Sequence, residues 1–165
     1  LAEGERLGFT LVRPKAELSE LLGHTALCDA IVYDKHGQAF PLASLCAGNA
    51  ALIAFLQPGG EPTEHFLNEL YDAYERLSAV CRVVIVLPSA GASSPAYVRF
   101  ADKYGKVDTY IDADEVQEPL ARAAFKEPGD YPLLFLMGGY PDCRFASAGY
   151  SVGSVELIIK LAALI

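Results

Sequence analysis

The chain has 165 residues, 52% of them apolar and 21% charged, with a formal net charge of −8. A chain of this length buries roughly two thirds of its unfolded surface, so one core and one domain are expected. The acidic balance, with thirteen Lys and Arg that nowhere form a run, argues against nucleic-acid binding, and no apolar segment approaches the roughly twenty residues that span a bilayer.

The opening Leu-Ala-Glu-Gly-Glu-Arg is not a signal peptide, and a chain beginning on Leu1 is expected to be processed or cut from something longer. Residues 1–23, with the alternating run Gly8 to Val12 and a possible short helix from Ala16 to Leu22, are read as a leader or the end of an upstream domain. Residues 24–165 are read as the folded domain. Ala26 to Tyr33 is strand-like, Asp34-Lys35-His36-Gly37 supplies turn chemistry, and Gln38 to Leu42 returns, which makes a hairpin.

Ala50 to Gln57 is too short and too apolar for an ordinary helix and reads as a strand buried on both faces. Pro58, Gly59 and Gly60 stop it. Pro62 has no N–H to lose in a first helical turn, and Glu61 and Glu64 put negative charge where the helix dipole favours it. Phe66, Leu67, Leu70, Tyr74 and Leu77 then share one face of a helix predicted over 62–77.

Arg82 to Leu87 is a second buried strand, so strand, helix and strand imply a right-handed parallel crossover. Ser94-Pro95 starts another helix, with Tyr97, Val98, Ala101 and Tyr104 apolar and Gly105 as its end. Val107 to Asp112 reads as a short edge strand, and Val116, Leu120, Ala123 and Ala124 mark a further short helix. Leu133 to Met137 is a buried strand that turns back through Gly138 to Asp142 into Cys143 to Ser147. Ser154 is expected to cap a final helix with Val155, Ile158, Ile159, Ala162 and Ile165 inward.

Cys28, Cys46, Cys81 and Cys143 are widely spaced, with no Cys-x-x-Cys and no nearby paired histidines, which gives no zinc signature. Two disulfides or ordinary buried thiols both satisfy this count. Asp108, Asp112, Asp114, Glu115 and Glu118 lack calcium-loop spacing and read as a wetted face, with His24 and His36 solvated at hairpin ends. The loop Pro88 to Ser94 lacks the ending of a phosphate cradle. No metal and no cofactor is implied.

Taken in order, Asp34-Lys35-His36-Gly37-Gln38 with Leu42-Ala43-Ser44-Leu45, Ala50 to Phe55, Phe100 to Gly105, Asp112-Ala113-Asp114, Tyr131-Pro132 and Gly149-Tyr150 carry a resemblance. From about Ala26 onward the chain resembles the thioredoxin-like fold in its redoxin branch, that of the TlpA-type thiol-disulfide oxidoreductases and AhpC/TSA peroxiredoxins. The resemblance implies an α/β three-layer sandwich, with a mixed sheet, helices on both faces and an N-terminal β-hairpin.

It also implies a reactive cysteine at the helix start after the central strand, where dipole and backbone N–H groups favour a thiolate. Here Gly60 and Thr63 stand over the two redox positions, so the redox pair is absent. The peroxiredoxin register reaches Pro62 and His65 instead. Thr63 would need a base, and His65, two residues on along a helix, does not face it. Tyr131-Pro132 matches the family's cis-proline position and, with Gly59, Gly60 and Glu61, would line a groove for a protein or peptide segment.

On the implied fold, Cys46, Cys81 and Cys143 collect at the pole opposite that groove, where a disulfide between two of them is permitted. The resulting expectation is a redox-inactive thioredoxin-like domain acting as a binding or structural module, periplasmic or otherwise extracytoplasmic. The alternative is a thiol-disulfide oxidoreductase or peroxiredoxin-like enzyme using those displaced cysteines, and catalysis in an upstream domain is a third.

Overall fold

The computed structural model describes residues 30–88, 94–105, 107–113, 131–139 and 142–165. Their elements in chain order are β1 (Ile31–Tyr33), β2 (Ala39–Pro41), a 3-10 helix (Leu42–Cys46), β3 (Ala50–Phe55), α1 (Glu61–Ser78), β4 (Arg82–Leu87), α2 (Pro95–Lys103), β5 (Asp108–Ile111), β6 (Leu133–Gly138), β7 (Cys143–Ala148) and α3 (Ser154–Ala162). The expected helix at 116–124, the leader at 1–23, His24 and Cys28 lie outside the described residues.

The strands form one mixed sheet in the order β2-β1-β5-β4-β3-β6-β7. β3 runs parallel to β4, from Ala51↔Arg82 to Phe55↔Val86, and antiparallel to β6, from Ala50↔Gly138 to Phe55↔Leu133. Because side chains alternate across a strand, β3 sends Ala51, Ile53 and Phe55 into one core and Leu52 and Ala54 into the other. On the second face lie Phe66, Leu67, Leu70 and Leu77 of α1, Phe100 of α2 and Val155 and Ile158 of α3. The first face holds Leu42, Leu45 and Cys46 of the 3-10 helix together with Phe135, Met137 and Cys143. The α/β, thioredoxin-like architecture expected from the sequence is the one observed.

Local chemistry sets the ends of these elements. Asp34 Oδ1 accepts from the N–H groups of His36 (2.8 Å) and Gln38 (2.9 Å), closing the β1–β2 turn. Ser94 caps α2, accepting from Tyr97 N–H at 3.2 Å, and its own hydroxyl donates to Glu64 on α1 at 2.8 Å. Arg82 braces the opposite end of the sheet, donating to Asp108 Oδ2 at 2.7 Å and to Leu45 O at 3.1 Å.

Three expectations are corrected. β5 is an interior strand, pairing with β4 on one side and with β1 through Tyr33↔Ile111 on the other. The N-terminal hairpin takes the edge, a long-range pairing that a four-residue polar-apolar run cannot announce. The final helix is capped by Gly153 in the left-handed region (φ 86°), which moves Ser154 inside the first turn. Ser154 is buried, and its Oγ finds no hydrogen-bond partner among the described residues. Ile165, expected inward, is 42% exposed beyond the end of α3.

Phe66 has no exposed surface and joins α1 to the sheet, whereas Val98 on α2 is 47% exposed. Phe66→Ala should lower unfolding free energy by about 3–5 kcal/mol, and Val98→Ala should stay within about 0.5 kcal/mol, both read from urea transitions.

Candidate functional site

Strand register brings three loops together at one end of the sheet. Phe55 pairs with Leu133, and Leu133 with Ala148. The residues after β3 (57–60), before β6 (131–132) and after β7 (149–153) therefore leave the sheet side by side. This is the carboxyl end of the parallel strands β3 and β4, where open α/β sheets place their ligands.

The first loop is built by short-range hydrogen bonds. Leu56 N–H donates to Val86 O at 3.0 Å, and Gln57 N–H donates to Thr63 Oγ1 at 3.4 Å. Gly60 N–H then donates to Gln57 O at 3.2 Å, and Gly60 O accepts from Glu64 N–H at 3.0 Å, which starts α1. Gly59 has φ 96°, a conformation that side chains resist. Gly60 is the N-cap with φ −79°, and a Cβ there would meet only Gln57 O, at 3.4 Å. Thr63 is buried, its oxygen engaged by backbone, while His65 Nε2 lies 3.3 Å from Glu61 Oε1. Among the described residues no base is placed to activate Thr63.

The second loop contains the cis Tyr131–Pro132 peptide. Pro132 is buried and its carbonyl accepts from Gly149 N–H at 3.0 Å, while half-buried Tyr131 packs against the first-face core. Gly59, Gly60, Glu61, Tyr131 and Pro132, grouped in the sequence reading, thus sit on two loops that flank the β3–β6 seam.

The third loop supplies groups that the sequence reading does not assign to the site. The Tyr150 hydroxyl donates to Glu69 Oε2 on α1, and Gly153 N–H reaches the same oxygen at 3.4 Å. His65 stacks on the Tyr150 ring, with centroids 5.6 Å apart and planes 23° from parallel. Val152 stands 90% exposed at the loop tip. Glu61, His65 and Glu69 recur every four residues, so one face of α1 was legible; their partner, 81 residues from Glu69, was not.

The thiols are elsewhere. Cys46, Cys81 and Cys143 are buried. The register Ala51↔Arg82, Ala51↔Met137 and Met137↔Cys143 puts Cys81 and Cys143 at the end of the sheet away from the loops, and the Arg82 bond to Leu45 O brings Cys46 there too. Cys81 lies in the helix-side core and the other two lie on the opposite face, so the sheet separates them. Burial pushes the Cys46 and Cys81 thiols up to about 11. At neutral pH that leaves roughly one thiolate in ten thousand, far from a tuned nucleophile.

No family model matches the chain, and no curated protein matches it in sequence. Solved structures do match in shape. An uncharacterized thioredoxin-like protein from Porphyromonas gingivalis is 20% identical with a TM-score of 0.57, over 82% of this chain and 89% of that one. A secreted disulfide oxidoreductase of Mycobacterium tuberculosis, homologous to E. coli DsbE, is 18% identical with a TM-score of 0.56, over 88% of this chain and 98% of that one. A thioredoxin-like protein from Bacteroides caccae is 16% identical with a TM-score of 0.55, over 99% of this chain and 56% of that one. The fold is therefore thioredoxin-like, of the kind seen in DsbE-type redoxins.

Burial first, and then the bond to Glu69, push the Tyr150 hydroxyl up to about 12. A raised pKa means the folded state holds this proton more tightly than the unfolded chain, whose tyrosines titrate near 10. The contact's stability is complete below about pH 10 and is lost as pH rises through about 12. The stability difference between the native chain and Tyr150→Phe, read from urea midpoints, should stay constant below pH 10 and shrink above it.

Proposed function

We propose that this domain is a binding module that has given up redox chemistry, receiving an extended segment of a partner protein across the three loops. The observation that carries the reading is the separation of thiols from the groove. Gly60 and Thr63 occupy the positions where the resemblance expects the redox pair, and the described thiols are buried at the far end. What the groove offers instead is backbone at Gly59 and Gly60, the Tyr131–Pro132 step, exposed Glu61 and the bare Val152 side chain.

The groove also favours one charge. Residues 36–75, 131–143 and 145–159, which supply all three loops and α1 up to Glu75, contain no Lys or Arg but include Glu61, Glu64 and Glu69. A segment with an apolar side chain flanked by cations complements that surface. The module's place of work is proposed to be extracytoplasmic, on the analogy of the secreted Mycobacterium tuberculosis relative in shape. Among the described residues no helix is long and apolar enough to cross a membrane.

One observation favours the enzyme reading: Cys81 borders a cleft of about 580 Å³ shared with Gly48, Ser78, Arg82 and Ile165. Thiol mapping with and without peroxide, run beside insulin reduction, separates the two. The module reading expects unreactive cysteines and no turnover, and a cysteine that reacts near neutral pH and cycles with another would overturn it. The double variant Gly60→Cys, Thr63→Cys should oxidise to an intramolecular disulfide, detected as a loss of two hydrogens in mass. If it stays reduced under oxidant, the assignment of those two positions is wrong.

A further inference from the structure

On the other side of the molecule a cleft of about 1080 Å³ opens between α2, β5 and the β1–β2 turn. β4 and β3 stand between β5 and β6, so this cleft is a separate place from the groove. Tyr97, Phe100 and Tyr104 line it at the i, i+3 and i+7 spacing that puts residues on one helix face, with Ile111 of β5 also contributing. Phe100 is buried, but Tyr97, Tyr104 and Ile111 are only half covered, and Lys35 and His36 on the turn are exposed.

The charged side chains around this cleft differ in what holds them. Asp108 is paired with Arg82, and Asp34, which keeps its charge, turns Oδ1 to the two N–H groups of its own turn. Lys35, by contrast, has no ion-pair partner among the described residues. The cleft thus joins an aromatic wall to an uncommitted cation, in a volume of the size that holds a small organic ligand.

We propose that the cleft binds a flat aromatic anion, an aryl carboxylate or sulfonate of one or two fused rings. The ring system packs offset or edge-on against the half-covered Tyr97 and Tyr104, where such contacts add to the apolar area they bury. The anionic group faces Lys35, with the His36 ring beside it on the turn. This site stands independently of the groove and of the module reading.

The test uses three probes of one shape, naphthalenesulfonate, naphthalenemethanol and naphthylmethylammonium, titrated into the intact chain and followed by amide chemical shifts. The sulfonate should move the amides of Lys35, His36, Tyr97 and Tyr104 and bind at least tenfold more tightly than the ammonium probe. Lys35→Glu, an exposed turn substitution that leaves the core untouched, should reverse that order. Ala101→Phe, which places a ring in the cleft, should weaken all three. Equal affinities for the three probes, shifts confined to other regions, or no shifts at all would overturn the proposal.

Discussion

β3 is hydrogen-bonded along both edges and buried on both faces. A strand enclosed in this way must have every backbone group satisfied by its neighbours, because an unpaired buried N–H or C=O costs as much as a lost hydrogen bond. That requirement fixes β4 and β6 beside it, and the β4 pairing in turn requires a crossover helix, which is α1. The cores on the two faces follow from the alternation of its side chains. The loops of the groove are where these strands run out, and their adjacency is inherited from β3's pairing.

At the other end the same strands are tied by Arg82, which joins β4 to β5 and to the 3-10 helix. Its bond to Asp108 holds the guanidinium's pKa above the usual range. Cys46 packs in this neighbourhood, and the Arg82 charge does little to lower its pKa because burial dominates. For Cys46 and Cys81 alike, burial is the largest influence on the thiol.

Continuous apolar runs made β3, β4 and β6 legible, since about six such residues between turn signals are the length of a strand and too few for an ordinary helix. The turn at Asp34 to Gln38 and the Ser94 cap were legible for the same local reason, a side chain bonding to backbone within four residues. What escaped was long-range. β5 is internal because a hairpin some seventy residues earlier pairs with it through Tyr33↔Ile111. The Gly153 cap looked secondary to the serine beside it, although the left-handed backbone there decides where α3 begins. At the groove, the positions of Gly60 and Thr63 came from resemblance, and Tyr150 became visible only when its hydroxyl was seen to reach α1.

Glu69 gives that contact a wider meaning. A single carboxylate oxygen receives both the Tyr150 hydroxyl and the Gly153 N–H, the entry to α3. The third loop is therefore fastened to the middle of α1, not merely to the sheet it leaves. Because Gly149 N–H also donates to Pro132 O at 3.0 Å, the third loop is held from two sides, and α1 and the Tyr131–Pro132 step share one frame through it.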